Sequence, residues 1–129
     1  MDLRDKILTA DDLRREPLTL ERWCVTVYVR ELTGTERAEY ETLLIENKDQ
    51  PMAERIRNMR DSLIALTTVN EAGERVFNSD DIEELGKKNA AELERVYDLS
   101  MTINRLDEKD IEADAGNLEP SGSDDSISE

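Results

Sequence analysis

The sequence of 129 residues contains no histidine, one cysteine, one tryptophan and one phenylalanine. Without histidine, the chain lacks the commonest general base near neutral pH and the commonest ligand for transition metals. One cysteine cannot form an internal disulfide or a cysteine-rich zinc site. No apolar run approaches the ~20 residues that span a bilayer, and charged side chains interrupt the segment where a signal peptide would be apolar. We therefore expect a cytoplasmic protein without a metal, a cofactor or an enzymatic activity.

Negative charge is what the chain has in excess. It carries 32 acidic residues against 17 lysines and arginines, which gives a formal net charge of −15. Such a charge repels a phosphate backbone and an anionic membrane surface, so neither is an expected partner. Residues 107–129 account for −8 of this charge and are rich in glycine and serine, whereas residues 1–106 carry −7. The composition predicts a folded domain over residues 1–106 and a disordered acidic tail over residues 107–129.

Alternation of apolar and polar residues identifies the strands. Residues 18–20 and 24–30 alternate on either side of a short link, which predicts an N-terminal β-hairpin with Cys24 inside its second strand. Residues 67–77 predict a minor β-turn element, with residues 71–74 as its turn.

Capping signals identify the helices. Thr33 and Glu36 fit a capping box that opens a helix reaching about Glu46. Asn89 and Glu92 fit a second box, which opens a last helix. The predicted fold class is therefore α+β: a mainly helical small domain with an N-terminal β-hairpin, a minor β-turn element and a disordered acidic C-terminal tail.

A regular apolar stripe follows Pro51, which favours the first position of a helix. The stripe repeats at steps of four and three residues, which is the spacing of one helix face: Met52, Ile56, Met59, Leu63 and Leu66. Its methionines are either core filler or an adaptable surface for apolar partner segments. Trp23, beside the hairpin link, either covers the core or anchors an interface. The candidate partner-binding residues are Trp23, Met52, Ile56 and Met59.

Other patterns are better explained without chemistry. Cys24 has no histidine to activate it, so it is expected to pack or to be a passive thiol. Asp110, Glu112 and Asp114 have the spacing of an EF-hand loop, but the glycine and glutamate that such a loop requires are replaced by Ala115 and Ser121. The arginines of residues 55–60 lie among acidic residues and are expected to form ion pairs on the helix surface.

Three segments together resemble the tail assembly chaperones of long-tailed bacteriophages: LRDKILTADDL, WCVTVYVRELTGTER and LTTVNEAGERVFNSDDIEELGKKNAAELERV. In that family a short helical segment precedes a hairpin that bears a tryptophan, and the next strand leads into a helix that starts Gly-x-Glu-Arg, here Gly34 to Arg37. A turn and an acidic helix start then precede a closing helix. The resemblance covers roughly residues 1–106.

The resemblance implies a non-enzymatic role in virion morphogenesis. Members bind the tape measure protein, keep it soluble while tail tube subunits assemble around it, and are not retained in the finished tail. A longer, frameshifted form recruits the tail tube protein in many phages, so this chain would be the short form. Host cytoplasm is then the expected location, and leftover apolar surface on a thin core favours a homo-oligomer.

An acidic inhibitor or DNA mimic that binds a basic partner surface is the alternative function. It requires a rigid array of carboxylates, and its binding would weaken steeply with added salt. The concentration of charge in a tail predicted to be disordered argues against such an array.

Overall fold

The computed structural model describes residues 1–106, and the tail with its acidic EF-hand-like spacing lies outside the described residues. The boundary between domain and tail therefore stays a prediction. Within residues 1–106, five α-helices and three strands follow one another: α1 (Leu3–Leu8), β1 (Arg15–Leu20), β2 (Val25–Arg30), α2 (Gly34–Glu46), α3 (Met52–Thr67), β3 (Thr68–Val69), α4 (Ile82–Leu85) and α5 (Ala90–Asn104). The predicted α+β class, mainly helical with a small N-terminal sheet, is confirmed.

The predicted hairpin is confirmed, with strands β1 and β2 antiparallel from Arg15↔Arg30 to Leu20↔Val25. The placement of Cys24 inside the second strand was wrong. Residues 21–23 form a turn of 3₁₀ helix, and Cys24 follows it in the left-handed region with φ 55°. The left-handed backbone of Cys24 is not that of a strand and is strained for an L-residue. Cys24 is therefore the last residue of the loop, and β2 begins at Val25.

The first arm of the predicted β-turn element joins the sheet as its third strand. β3 pairs antiparallel with β2 through Tyr28↔Val69 and Val29↔Thr68, which gives the strand order β1-β2-β3. The strand stops after two residues because the backbone N–H of Asn70 donates to the carbonyl of Glu74 at 2.8 Å and turns the chain back. Gly73 supplies the positive φ of 87° that this turn requires.

The capping box of α2 is confirmed and belongs to a larger network. The Thr33 hydroxyl accepts from the N–H of Glu36, and the Glu36 carboxylate accepts from the N–H of Thr33 at 3.0 Å. The same carboxylate accepts two hydrogen bonds from Arg30, at 2.9 and 2.8 Å, and one from Arg75 at 2.6 Å. One side chain thus joins the end of β2, the start of α2 and the segment that follows β3.

The interior consists of two apolar clusters, and Tyr97 of α5 packs against both. The first lies between the sheet and helices α3, α4 and α5: Leu20, Val29, Ile64, Leu85, Leu93, Val96 and Ile103. The second lies between α2, α3 and the end of α5: Tyr40, Leu63 and Leu106. Where α3 meets α5, the buried hydroxyls of Thr67 and Ser100 lie 2.7 Å apart. Small residues at this contact let the two helices approach closely.

Only half of the second predicted capping box forms. The side chain of Asn89 accepts from the N–H of Glu92, as expected. The buried Glu92 carboxylate instead accepts from the backbone N–H of Arg22, at 3.0 Å, and from Arg95 at 3.3 Å. The Glu92 carboxylate therefore binds the loop of the hairpin and does not cap its own helix.

The sequence predicted ion pairs on the helix surface. The pair of Arg60 and Asp61 is instead directed into the fold. Asp61 is fully buried and accepts from Arg60 at 2.7 and 3.3 Å. A Cβ atom on Gly86 would lie 2.9 Å from Oδ2 of Asp61, so α4 ends at a glycine that the close approach requires. The pair therefore helps to seat α4 on α3.

The Glu36 network makes the stability of the fold depend on pH. Burial tends to raise the pKa of Glu36, but hydrogen bonds from Arg30, the Thr33 N–H and Arg75 outweigh it and lower the pKa from its ordinary 4.5 to about 2. Because the folded state holds this proton more weakly than the unfolded state, the stabilisation is complete above pH 4.5 and is lost as the pH falls toward about 2.

We expect Glu36→Gln to lower the free energy of unfolding near neutral pH by about 2 kcal/mol, allowing for partial solvent screening. The variant should also flatten the loss of stability below about pH 5, which denaturant titrations at several pH values would measure. Glu41→Gln is the control, since Glu41 makes a half-exposed pair with Arg37 at 3.4 Å. An unchanged acid profile in Glu36→Gln would contradict the role of this carboxylate.

Candidate functional site

The predicted stripe on α3 is divided between surface and interior. Met52 and Ile56 are 64% and 48% exposed, whereas Leu63 is fully buried. Met59 lies between them, partly buried against the second apolar cluster. We call the exposed part, Met52 and Ile56, the α3 stripe. It forms an apolar surface at the beginning of α3.

Trp23 lies elsewhere, partly buried against the first apolar cluster. It belongs to the 3₁₀ turn between β1 and β2, and this turn is held to the start of α5 by the hydrogen bond from Arg22 N–H to Glu92. The indole therefore has a fixed position, although it is not a fully buried core residue. Trp23 packs on the first cluster, whereas Met59, the residue that follows the α3 stripe on the same helix face, packs on the second.

Trp23, Val76 and Phe77 line two adjoining pockets. One has a volume of about 580 Å³ and continues toward α4, where Asp81, Glu84 and Lys88 form its polar rim. The other, of about 270 Å³, continues along β2 past Val25 and Val27. We call the apolar surface of this second pocket the Trp23 groove, and its main lining residues are Trp23, Val25, Val27, Val76 and Phe77. Val25 and Val76 are exposed in it.

A third apolar surface lies on α1, which Asp2 caps by accepting from the N–H of Asp5 at 2.8 Å. Leu3, Ile7 and Leu8 are all exposed on this helix. Their spacing of four and one residues places them on one face of the helix. Within residues 1–106, exposed apolar side chains are therefore grouped on α1, in the Trp23 groove and on the α3 stripe, and Ile45 of α2 is exposed as well.

The sequence did not identify Val76, Phe77 and Val25 as parts of a site. The sequence does contain one indication of such a site, which is the unequal length of two predicted strands. The apolar segment of residues 68–69 is much shorter than the alternating segment of residues 24–30. A short strand beside a long one leaves part of the long strand without a neighbour. The sequence could not show that the two strands pair.

Residues 1–106 also hold an exposed thiol and a buried tyrosine hydroxyl. Residues 1–106 contain no group of carboxylate and thiol side chains arranged to hold a metal ion, and none of their helices is long and apolar enough to cross a membrane. Cys24 is exposed. Burial raises the pKa of Tyr40, beside Tyr97, and its hydroxyl donates to the carbonyl of Met59 at 3.0 Å. Tyr40 is thus held neutral in the second cluster.

The fold is that of a phage assembly protein of known structure. It superposes on the structure of the bacteriophage HK97 tail assembly chaperone with a TM-score of 0.59, over 78% of this chain and 95% of that chain, at 15% sequence identity. No family model and no curated protein matches the sequence. The fold that the sequence resemblance implied is confirmed: a short helix, a hairpin bearing a tryptophan, the capped helix from Gly34 and a closing helix.

The division of the α3 stripe gives a stability test. Replacing Met52 or Ile56 with serine should cost less than about 1 kcal/mol, because each is already in contact with water. Leu63→Ala should cost about 2–5 kcal/mol, because it opens a cavity in the second cluster. Denaturant unfolding of the three variants would measure these values. A large loss in Met52→Ser would mean that this end of α3 is covered in solution.

Proposed function

We propose that this protein is a tail assembly chaperone of a long-tailed bacteriophage, and that it binds the tape measure protein and keeps it in solution during tail morphogenesis. The observation that carries the proposal is the fold, which matches 95% of the HK97 tail assembly chaperone chain. The order of the hairpin, capped helix, turn and closing helix in the sequence supports it independently.

The exposed surface supports a client of apolar character. The α3 stripe presents Met52 and Ile56 at helical spacing, and a flexible thioether accommodates varied partners. A helix with an apolar face can pack against such a stripe. A net charge of −15 keeps the complex from aggregating, which suits a binder of sticky segments.

The wider assignment follows from the same proposal. The protein acts in the host cytoplasm without catalysis, is absent from the mature virion, and reaches the tail tube protein through a frameshifted longer form. Self-association through its exposed apolar surfaces fits this role. A DNA-mimic function has less support, because carboxylates such as those of Glu36, Asp61 and Glu92 face inward to partners within the fold.

Co-expression with the tape measure protein encoded beside it tests the function. We expect the soluble fraction of the tape measure protein to rise several-fold and the two chains to co-purify. The double variant Met52→Lys with Ile56→Lys should reduce both effects, because two charges would have to be desolvated against an apolar client.

The matched control is Glu54→Gln with Arg55→Gln, which changes exposed residues of the same helix turn without changing the net charge. It should preserve the effect on solubility. Failure of the unaltered protein to solubilise or retain the tape measure protein would overturn the proposed function. Equal activity of the lysine double variant would remove the α3 stripe from the binding surface while leaving the function in place.

A further inference from the structure

One edge of β2 is open beside the Trp23 groove. The backbone N–H of Glu31 donates to the carbonyl of Arg14 at 2.9 Å, in line with the register of β1 and β2. Because the hydrogen-bonding direction alternates along an antiparallel strand, Val25, Val27 and Val29 face β1 with their backbone groups, whereas Thr26 and Tyr28 face the other edge. Tyr28 pairs there with Val69 of β3.

Thr26 has no strand beside it on that edge within the described residues. Continuing the register of β3 would place residue 71 opposite Thr26. The chain has already turned away there, since Asn70 N–H donates to Glu74. The N–H and carbonyl of Thr26 therefore point to a gap about as long as three strand residues, roughly 10 Å.

The free edge of β1, on the outer side of the sheet, is protected against a further strand, whereas the edge of β2 at Thr26 is not. Pro17 of β1 lies opposite Tyr28, so the same alternation directs its backbone nitrogen outward, away from β2. A proline there removes a donor from the outer edge and discourages a further strand. Thr26 keeps both its donor and its acceptor.

The Trp23 groove lies directly beside the gap at Thr26. Val25 and Val27 turn their side chains to the face where the pocket of about 270 Å³ lies. A strand added beside Thr26 would place an alternate side chain in that pocket, next to these valines. The groove thus provides an apolar site at the place where the edge provides backbone hydrogen bonds.

A buried hydroxyl lies beside this pocket. Thr68 is 1% exposed, and among residues 1–106 its Oγ1 has no hydrogen-bond partner. Thr68 also lines the pocket beside Val25, Val27 and Phe77. An unsatisfied hydroxyl of this kind is costly, and a polar group of an added segment would reach it only after the Thr68 side chain rotates toward the pocket.

We infer that an extended apolar segment of a client protein, flanked by basic residues, binds here as an added strand beside Thr26 and fills the Trp23 groove. The open backbone edge selects an extended chain rather than a helix. The rim holds two carboxylates, Asp81 and Glu84, against one lysine, Lys88, and the chain has a net charge of −15, so basic flanks are favoured. The identification of the client as a tape measure protein rests on the proposed function.

The single tryptophan of the chain reports occupancy of the groove directly. The probe is a capped seven-residue peptide of alternating valine and threonine with a lysine at each end. Titrating the full chain with it should shift the Trp23 emission to shorter wavelength and saturate. A peptide with methylated central N–H groups should bind about tenfold more weakly, because it cannot complete the backbone hydrogen bonds.

Val76→Lys, in the wall of the groove, should weaken the unmethylated peptide about tenfold, and the milder Val76→Thr about threefold. Ile45→Lys, at an exposed position of α2, is the matched control and should leave the affinity unchanged. Calorimetry gives the same affinities without relying on fluorescence, and circular dichroism verifies that each variant is folded.

Several results would overturn the inference. Binding that does not saturate, equal affinity for the methylated peptide, or an affinity unchanged by both Val76 variants would each do so. A molecular mass in solution that rises with protein concentration and falls in Val76→Lys would assign the groove to a second copy of the chain. The assay contains no tape measure protein, so its failure is distinguishable from failure of the proposed function. Conversely, peptide binding without solubilisation of the tape measure protein would keep the edge site and reject the chaperone.

Discussion

The Glu36 carboxylate is the point on which the arrangement of the domain depends. It accepts hydrogen bonds from Arg30 at the end of β2, from the N–H of Thr33 at the start of α2 and from Arg75 after the turn of β3. Burying a carboxylate is costly unless several donors compensate for lost hydration, and here three groups do so. Since Val76 and Phe77 follow Arg75 directly, the contact that starts α2 also fixes one wall of the Trp23 groove.

The opposite wall depends on a second carboxylate used in the same way. Glu92 leaves the cap of its own helix and receives the N–H of Arg22, which fixes the turn that carries Trp23. Both walls of the groove are thus held by buried acidic side chains that bind backbone or arginine donors. A groove held this way can remain open, because neither wall needs contact with the other to keep its position.

Local signals in the sequence predicted what local interactions determine. The capping box of Thr33 and Glu36, the hairpin and the turn at Gly73 each depend on residues a few positions apart, and each was found as expected except that Cys24 lies in the hairpin loop. What the sequence did not predict depends on distant partners: Glu92 with Arg22, β3 with β2, and buried Asp61 beside Gly86. The α3 stripe shows the same limit, because a periodic pattern defines a helix face but not how far along it the neighbouring elements reach.

The two apolar surfaces differ in the client conformation they suit. The α3 stripe offers side chains at helical spacing and no free backbone groups, so a helix can pack on it. The edge at Thr26 offers a backbone donor and acceptor above an apolar groove, so it suits an extended chain. A client that exchanges between helix and extended chain while still unassembled would find a site for each conformation on one domain. High negative charge is compatible with several exposed apolar surfaces on one protein, because repulsion between like charges opposes non-specific aggregation.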